Sequence, residues 1–381
     1  MHKITIKSEK ERSPEPIRGY GDDRLSHRLP WISMLSIVIY LLSLCPAGYA
    51  QGPSPVQSYC EGQDYSFTTI YDAKWDYSWV VLKNGAIVYQ VDNPVPSPNI
   101  LDWTAPSDIT EDTVFIISVV VSDKSLTTCK SEDSMEITVH PLPTITIKKY
   151  TNGEDADTAP GPYIPEGGAV TWRYEVTTDS NLPLTDITVT DSVNGVTPIY
   201  VSGDTNGDGK LTSDETWIFE ASGIAVAGQY ANIGYVTAKN VCDLLIMDDD
   251  PSHYFGETGV ITIKKYTNGE DADAAPGPYI PEGGAVTWRY EVTTTSNVPL
   301  SAITVTDSVP GVSPVYVSGD TNSDSKLTSD ETWIFEVTGT AIPGQYENIG
   351  TVTGITPGQQ TLTDDDPSHY FGETGVITIK K

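Results

Sequence analysis

The sequence predicts an all-β protein built of β-sandwich modules in series, and three observations support that fold class. The 21 Tyr and eight Trp far outnumber the six Phe, and 32 Gly and 27 Pro accompany them, a composition typical of short strands joined by tight turns. Outside the N-terminal segment no stretch has the apolar spacing of an amphipathic helix. A long part of the chain also recurs at a shift of 116 residues, which is typical of tandem modules.

The N-terminal segment has the parts of a secretory signal peptide. Residues 31–44, WISMLSIVIYLLSL, form an apolar run that is too short to span a bilayer comfortably, and the small residues Gly48 and Ala50 follow it. We therefore expect residues 1–50 to be removed by cleavage after Ala50, so that the chain contacts a membrane only if this segment stays uncleaved as a signal anchor. Lipidation at Cys45 is a further alternative.

Residues 51–143 form a first module with the cysteine and tryptophan spacing of an immunoglobulin-like domain. Cys60 is followed by Trp79 and then by Cys129, and in such domains two cysteines bridge the sheets beside a buried Trp. In an oxidising compartment we expect a Cys60–Cys129 disulfide. Cys242 is then left as a thiol.

Residues 144–260 and 261–376 form two copies of a second module. An ungapped alignment at the 116-residue shift leaves 89 of 116 positions identical, so the copies share one fold. Residues 377–381 repeat the opening ITIKK of the module. We expect them to be the start of a truncated third repeat.

Alternation predicts the strands within each copy. Val170, Trp172, Tyr174 and Val176 point to one face while polar residues point to the other, which is the period of a half-buried strand. About seven such short strands per copy, separated by Pro-Gly, Asn-Gly and Gly-Gly turns, favour an immunoglobulin-like or transthyretin-like sandwich. The prediction is therefore three immunoglobulin-like β-sandwich modules in series after a signal peptide.

An acidic loop in the first copy matches the calcium-binding pattern D-x-[DN]-x-[DN]-G-x5-E at every specified position. Calcium prefers about six to eight oxygen ligands, and Gly209 permits the left-handed turn that wraps such a loop around the ion. Strand-like segments flank the loop, so no helix pair is available to open as in a calcium sensor. The predicted ligands are Asp204, Asn206, Asp208, Lys210 through its carbonyl, Thr212 and Glu215.

The second copy of the loop is predicted to bind calcium more weakly. Ser325 stands where the pattern requires glycine, and a left-handed backbone at a non-glycine residue costs about 1 kcal/mol. The predicted ligands are Asp320, Asn322, Asp324, Lys326, Thr328 and Glu331.

Two further acidic clusters recur in both copies, and two interpretations of them stay open. One contains Asp155 and Asp157 and the other consists of Asp248, Asp249 and Asp250. Adjacent carboxylates repel one another unless they are solvated or bridged by a cation. Solvated charge and a second calcium ion are therefore both compatible with the pattern.

The charge and the missing motifs exclude several classes of function. A formal net charge of −30 at pH 7 excludes nucleic acid as a partner, because proteins bind its phosphates through lysine and arginine. The sequence contains no nucleophile elbow, no H-E-x-x-H motif and no phosphate-binding loop. We therefore predict that the protein is not an enzyme.

Several segments resemble a known repeat, namely ITIKKYTNGEDADTAPGPYIPEGGAVTWRYEVT, NLPLTDITVTDS, the acidic loop and DDDPSHYFG. They are similar to a tandem repeat in large surface proteins of methanogenic archaea and some bacteria, a domain of unknown function akin to Cna-B and SdrD-type adhesin modules. The resemblance covers residues 145–381, and the first module resembles the immunoglobulin- or PKD-like modules of similar proteins. It implies surface stalks or adhesins with structural calcium. Some such modules carry Lys–Asn isopeptide bonds, for which Lys148 or Lys149 with Asn232 could be imagined, although the sequence does not place them together.

The sequence thus predicts a non-catalytic, secreted or cell-surface structural protein that serves as a calcium-stabilised stalk or spacer. The alternative is an adhesin or carbohydrate-binding protein with the N-terminal module as its adhesive tip. Neighbouring surface proteins or cell-envelope glycan are the predicted partners. Saturable, competable binding to a defined polysaccharide would distinguish the adhesin from a pure spacer.

Overall fold

The structure, a computed structural model, describes most of the chain beyond the N-terminal segment. The described residues are 2–8, 36–39, 57–69, 71–125, 129–375 and 379–380. Within these ranges all the regular secondary-structure elements are β-strands. These residues include no helix that is long and apolar enough to cross a membrane. The all-β prediction is confirmed, whereas the predicted cleavage after Ala50 lies outside the described residues.

The N-terminal module consists of two sheets packed around an apolar core, and one sheet includes two strands from within the predicted signal segment, residues 1–50. Its strands are β1 (His2–Ser8), β2 (Ser36–Ile39), β3 (Gln57–Cys60), β4 (Asp64–Thr68), β5 (Trp75–Lys83), β6 (Ala86–Asp92), β7 (Ile100–Thr104), β8 (Thr113–Asp123) and β9 (Lys130–His140). The strand orders are β2-β1-β4-β7 and β3-β9-β8-β5-β6. Trp79, Leu101 and Phe115 are fully buried between the sheets, where alternation along their strands places them.

The first repeat forms a second sandwich. Its strands are β10 (Ile145–Thr151), β11 (Glu154–Asp155), β12 (Tyr163–Pro165), β13 (Ala169–Thr178), β14 (Thr185–Asp191), β15 (Ile199–Ser202), β16 (Trp217–Ile224), β17 (Gly228–Lys239) and β18 (Leu245–Glu257). The strand orders are β11-β10-β13-β16-β15 and β12-β18-β17-β14. Taken in chain order, these are the ABED and GFC sheets of an immunoglobulin-like sandwich.

The second repeat has the same topology at the 116-residue shift. Its strands are β19 (Ile261–Thr267), β20 (Glu270–Asp271), β21 (Tyr279–Pro281), β22 (Ala285–Thr294), β23 (Ser301–Asp307), β24 (Val315–Ser318), β25 (Trp333–Thr340), β26 (Gly344–Ile355) and β27 (Thr361–Glu373). The strand orders are β20-β19-β22-β25-β24 and β21-β27-β26-β23. Trp288, Tyr290 and Val292 alternate with more exposed residues along β22 and fill the core together with Trp333 and Phe335.

The chain divides into two compact units. One comprises residues 1–144, 182–185 and 239–246. The other comprises residues 145–181, 186–238 and 247–381. The short segment 239–246 of the first repeat therefore belongs to the same unit as the N-terminal module.

The predicted Cys60–Cys129 disulfide is wrong, and Cys242 is not a thiol. Cys60 is bonded to Cys242, with Cα atoms 6.2 Å apart. The reason is strand register: β3 runs parallel to β9 and places Cys60 opposite His140. Cys129 precedes the other end of the 11-residue β9, roughly 35 Å away at about 3.3 Å per residue, far beyond disulfide reach.

Candidate functional site

A lysine side chain lies in the core of the first repeat. Lys149 stands on β10 in phase with Ile145 and Ile147, which face the core, so alternation carries its side chain inward. The side chains of Lys149 and of Asp191, at the end of β14, are both fully buried. The lysine Nζ lies 2.9 Å from the aspartate Oδ2.

Asn232, on β17, completes the cluster. It is buried, and its Nδ2 donates to Oδ1 and Oδ2 of Asp191 at 3.1 and 2.9 Å. The Tyr174 hydroxyl donates to the same Oδ2 at 2.7 Å, and its ring centroid lies 5.5 Å from the lysine Nζ. The buried Oδ1 of Asn232 has no hydrogen-bond partner among the described residues. This arrangement costs free energy and therefore requires an explanation.

The second repeat contains the same cluster. Lys265 and Asp307 are fully buried, with Nζ and Oδ2 2.8 Å apart. Asn348 donates to that Oδ2 at 2.9 Å, Tyr290 donates to it at 2.7 Å, and Oδ1 of Asn348 is again buried without a partner in the described part of the chain. The arrangement is therefore a property of the module.

The surroundings of the cluster lower the pKa of its lysine amine. Burial lowers the pKa of Lys149 to about 8, and the hydrogen bond and charge of Asp191 oppose that shift only in part. Lys265 behaves in the same way, with its pKa lowered to about 8. Burial and the hydrogen bond to Asp191 raise the pKa of Tyr174, so its hydroxyl stays a donor.

A glycine on β17 provides the space for the cluster. A Cβ atom at Gly234 would lie 2.8 Å from the Tyr174 ring and 3.3 Å from Cδ of Lys149. Both contacts are tighter than packed side chains tolerate. Gly350 stands in the same relation to Tyr290 and Lys265.

The structure selects one of the two lysines considered from the sequence. Lys148 is exposed on the opposite face of β10, and Lys149 meets Asn232 through Asp191. Sequence reasoning missed Asp191, whose position beside Asn232 depends on the pairing of β14 with β17. A detectable signal was the lysine at a core-facing position of the alternating segment ITIKKYT.

The predicted calcium loop lies between β15 and β16, and its carboxylates accept hydrogen bonds from loop groups. Asp204 Oδ1 accepts from the amide of Gly207 at 2.8 Å, and its Oδ2 accepts from the amide of Gly209 at 2.9 Å. Glu215 is buried, and its Oε1 accepts from the Thr205 amide at 2.9 Å. The loop is thus preorganised around its own acidic side chains.

The remaining predicted ligands of the first loop lie at its rim. Asn206 Oδ1 accepts from the Asp208 amide, and Asp208 Oδ1 accepts from the Lys210 amide, both at 2.9 Å. The Thr212 hydroxyl donates to Asp214 at 2.6 Å. Calcium binding by this loop stays a prediction.

The second loop repeats this arrangement with a less favourable backbone. Ser325 has φ +61°, the left-handed conformation that the pattern assigns to glycine. Glu331 is buried; burial raises its pKa, but hydrogen bonds from the Thr321 and Thr328 amides outweigh that effect and lower it overall. Leu327 anchors the loop to the core through paired backbone hydrogen bonds with Leu300.

The acidic clusters have a structural task in the first repeat. The carboxylates of Asp248 and Asp250, on β18, accept from the amides of Ile147 and Lys149 at 3.0 and 2.6 Å. They thereby satisfy backbone donors along the edge of β10. Asp249 alternates with them and is exposed.

The second repeat brings the two acidic clusters together. In the described part of the chain, Asp271, Asp273 and Asp366 have carboxylate oxygens that all lie within 4.8 Å of one another. A hydrogen bond that the protonated Asp273 donates to Asp271, together with burial, raises the pKa of Asp273. Proton sharing relieves part of the repulsion, so solvated charge and a second calcium ion both stay open here.

A buried carboxylate holds the junction between the two repeats. Glu257, the last residue of β18, is 2% exposed. Its Oε2 accepts from the Thr356 hydroxyl and its Oε1 from the Gly358 amide, both at 2.8 Å. Leu362 covers the neighbouring Gly259, where a Cβ would lie 2.7 Å from the leucine Cδ1.

The β26–β27 hairpin, which donates hydrogen bonds to Glu257, corresponds to the β17–β18 hairpin of the first repeat, which contains Cys242 of the disulfide. Thr356 and Gly358 lie in the turn between β26 and β27, 116 residues after Asn240 and Cys242. Asn240 donates from Nδ2 to the sulfur of Cys60 at 3.7 Å. The same two turn positions therefore bind Cys60 in one copy and Glu257 in the other, which explains why the repeats differ so strongly over this turn.

Comparisons with known proteins yield distant structural likenesses alone. No family model matches the chain, and no curated protein matches it. Part of a 1.5-MDa bacterial ice-binding adhesin is similar at 14% identity, over 86% of this chain and 100% of that one, with a TM-score of 0.39. Protocadherin gammaB7 EC3–6 is similar at 10% identity, over 84% and 72%, with a TM-score of 0.33. Mouse cadherin-23 EC22–24 is similar at 10% identity, over 84% and 95%, with a TM-score of 0.31. Likenesses this weak carry no conclusion about function.

Proposed function

We propose that this chain is a non-catalytic, load-bearing segment of a secreted or cell-surface stalk, in which each repeat is closed by a Lys–Asn isopeptide bond and stiffened by calcium. The observation that carries the proposal is the buried Lys149–Asp191–Asn232 cluster and its copy in the second repeat. The disulfide supports export, because such bonds persist in oxidising compartments.

Bond formation is a single self-modification of each repeat. The neutral amine of Lys149 attacks Cγ of Asn232, and the Asp191 carboxylate, which lies 2.9 Å from the lysine Nζ and accepts from Nδ2 of the asparagine, takes up a lysine proton as general base. The new bond joins the lysine Nζ to Cγ, the bond from Cγ to Nδ2 breaks, and Asp191 passes a lysine proton to the departing nitrogen. Ammonia leaves, and Asp191 ends in its starting protonation state.

The position of the bond accounts for a load-bearing role. Lys149 lies on β10 in one sheet, and Asn232 lies on β17 in the other. A covalent link between them closes the sandwich across its core. Tension applied at the two ends of a repeat is then carried through the link, and β10 cannot be pulled away from the opposite sheet beyond Lys149.

Mass spectrometry of the purified full chain tests the cross-links. Each bond removes one ammonia, about 17 Da, and a protease digest is expected to release branched peptides that join the Lys149 segment to the Asn232 segment. Lys149→Arg should abolish the first-repeat branch. Lys148→Arg, at the exposed neighbouring position, should leave it intact. Separate, full-mass peptides from the wild-type chain would refute the cross-link.

Calcium is expected to raise the melting temperature of both repeats. A ligand that binds only the folded state stabilises it by about 2.7 kcal/mol at a free concentration of 100 times its Kd. Calorimetry of the full chain in millimolar calcium and then in chelator measures the effect, with Asp204→Ala and Glu215→Ala as first-repeat controls. Because Ser325 has φ +61°, the second repeat should need more calcium. Identical melts in both buffers would exclude calcium as a structural ion.

A further inference from the structure

The first repeat contacts the second through a surface at the end of its last strand. The second repeat has a copy of this surface at the same position. The segment FGETGV occurs at residues 255–260 and again at 371–376. Both copies have one backbone register, because Pro165 pairs with Glu257 and Pro281 pairs with Glu373 in parallel strands. The second repeat therefore carries a preformed copy of the junction surface.

The two copies of this surface differ in what covers them. Glu257 is buried under the next hairpin, and Glu373 is exposed. Leu362 packs on Gly259, whereas a Cβ placed on Gly375 would have no heavy atom within 4 Å in the described structure. At the first junction Asn297 also binds the FGETGV segment: its Oδ1 accepts from the Thr258 amide at 2.8 Å, and its Nδ2 donates to the Gly256 carbonyl at 2.9 Å.

We propose that the surface formed by residues 372–375 is an acceptor for the β26–β27-type hairpin of a further repeat of the second-repeat type. The occupant is inferred from the first junction, where an identical segment is filled by a threonine hydroxyl, a glycine amide and a leucine of that hairpin. Neither calcium nor the isopeptide bond enters this contact, so its failure would leave the proposed function standing.

The acceptor discriminates between the two kinds of hairpin. A Cβ at Gly358 would lie 2.6 Å from Oε2 of Glu257 and 3.0 Å from the Tyr163 carbonyl. A glycine at this position therefore lets its amide approach the carboxylate. The first repeat carries Cys242 there, committed to Cys60. The Cys242 hairpin thus pairs with Cys60, whereas repeats with the Thr-Pro-Gly hairpin can follow one another.

An extended chain tests the acceptor. The full chain is continued after Lys381 with a copy of residues 266–376, which completes a further repeat of the second type. Glu373→Ala is expected to lower the melting temperature of the added repeat by at least about 5 °C and to leave the unextended chain unchanged, because Glu373 is exposed there. Glu257→Ala in the unextended chain is the positive control.

Exchanging the hairpin of the added repeat tests whether the acceptor surface recognises that hairpin or whether covalent attachment of any repeat is sufficient. In a second extended chain the added copy carries residues 239–247 in place of its own 355–363. This repeat is expected to melt independently of its neighbour, and small-angle scattering should show a looser terminal module. The proposal is overturned if the exchanged hairpin couples as well as the native one. It is equally overturned if Glu373→Ala has the same effect in both the extended and the unextended chain.

Discussion

Asp191→Ala and Asp307→Ala together are expected to leave both repeats without a cross-link and to destabilise each of them severely. A buried lysine that loses its counter-charge costs about 3–5 kcal/mol. Loss of a covalent loop that spans residues 149–232 removes about 4.5 kcal/mol more, if the link constrains the unfolded chain as a disulfide of that loop length does. Thermal unfolding of the purified variants measures the sum, and peptide mapping shows whether the bond has formed.

Asn232→Ala separates the bond from the charge pair, because Lys149 then keeps its amine beside Asp191. Burial lowers the pKa of Lys149 from 10.5 to about 8. Between these values the unfolded chain binds more protons than the folded chain, so the free energy of unfolding of this variant should rise as the pH increases from about 8 to about 10. In the cross-linked first repeat Lys149 has no amine to titrate.

Asp191→Ala variants as stable as the wild type would contradict the cross-link.

Cys242→Ser is expected to produce the second large effect, a loss of stability in the unit that contains the N-terminal module. The disulfide closes a loop between residues separated by 182 positions, for which loop-closure entropy in the unfolded chain amounts to about 5 kcal/mol. The folded hairpin keeps part of its anchorage, because Asn240 Oδ1 accepts from the amides at 242 and 244. Denaturant unfolding, followed by the fluorescence of buried Trp79, measures the change.

The matched control is reduction of the wild-type protein. Mild reductant should reproduce the Cys242→Ser curve in the wild type and leave the curve of the variant unchanged. Cys129→Ser should have a much smaller effect than Cys242→Ser, because Cys60 pairs with Cys242. If the Cys129→Ser variant unfolds like Cys242→Ser, the Cys60–Cys242 pairing is contradicted.

The turn geometry of the acidic loops and the positions of the strands were predictable because their signals are local. Strand alternation at residues such as Trp172 and Tyr174 depends only on the two-residue period of an extended chain, and both are buried as expected. The left-handed turn at Gly209 likewise follows from the pattern of its own loop, and it is present with φ +72°.

The disulfide prediction failed because it relied on spacing within one module. Cysteine order cannot reveal that β3 joins β9 in parallel, nor that the turn of another module lies beside Cys60. The differing turn sequences at Cys242 and Gly358 were visible in the alignment of the repeats. Their meaning required the two partners, Cys60 and Glu257.

The sequence by itself determined an all-β chain, the 116-residue period and the acidic loops, because these features depend on backbone geometry and on neighbours close in the chain. Only the tertiary structure decided which buried groups meet. Lys149, Asp191 and Asn232 come from three strands in two sheets, and they are brought together by strand register and sandwich packing. Their chemistry follows from shared burial, which lowers the pKa of the lysine and leaves an asparagine oxygen without a partner among the described residues. No residue acquires those properties from its position in the chain alone.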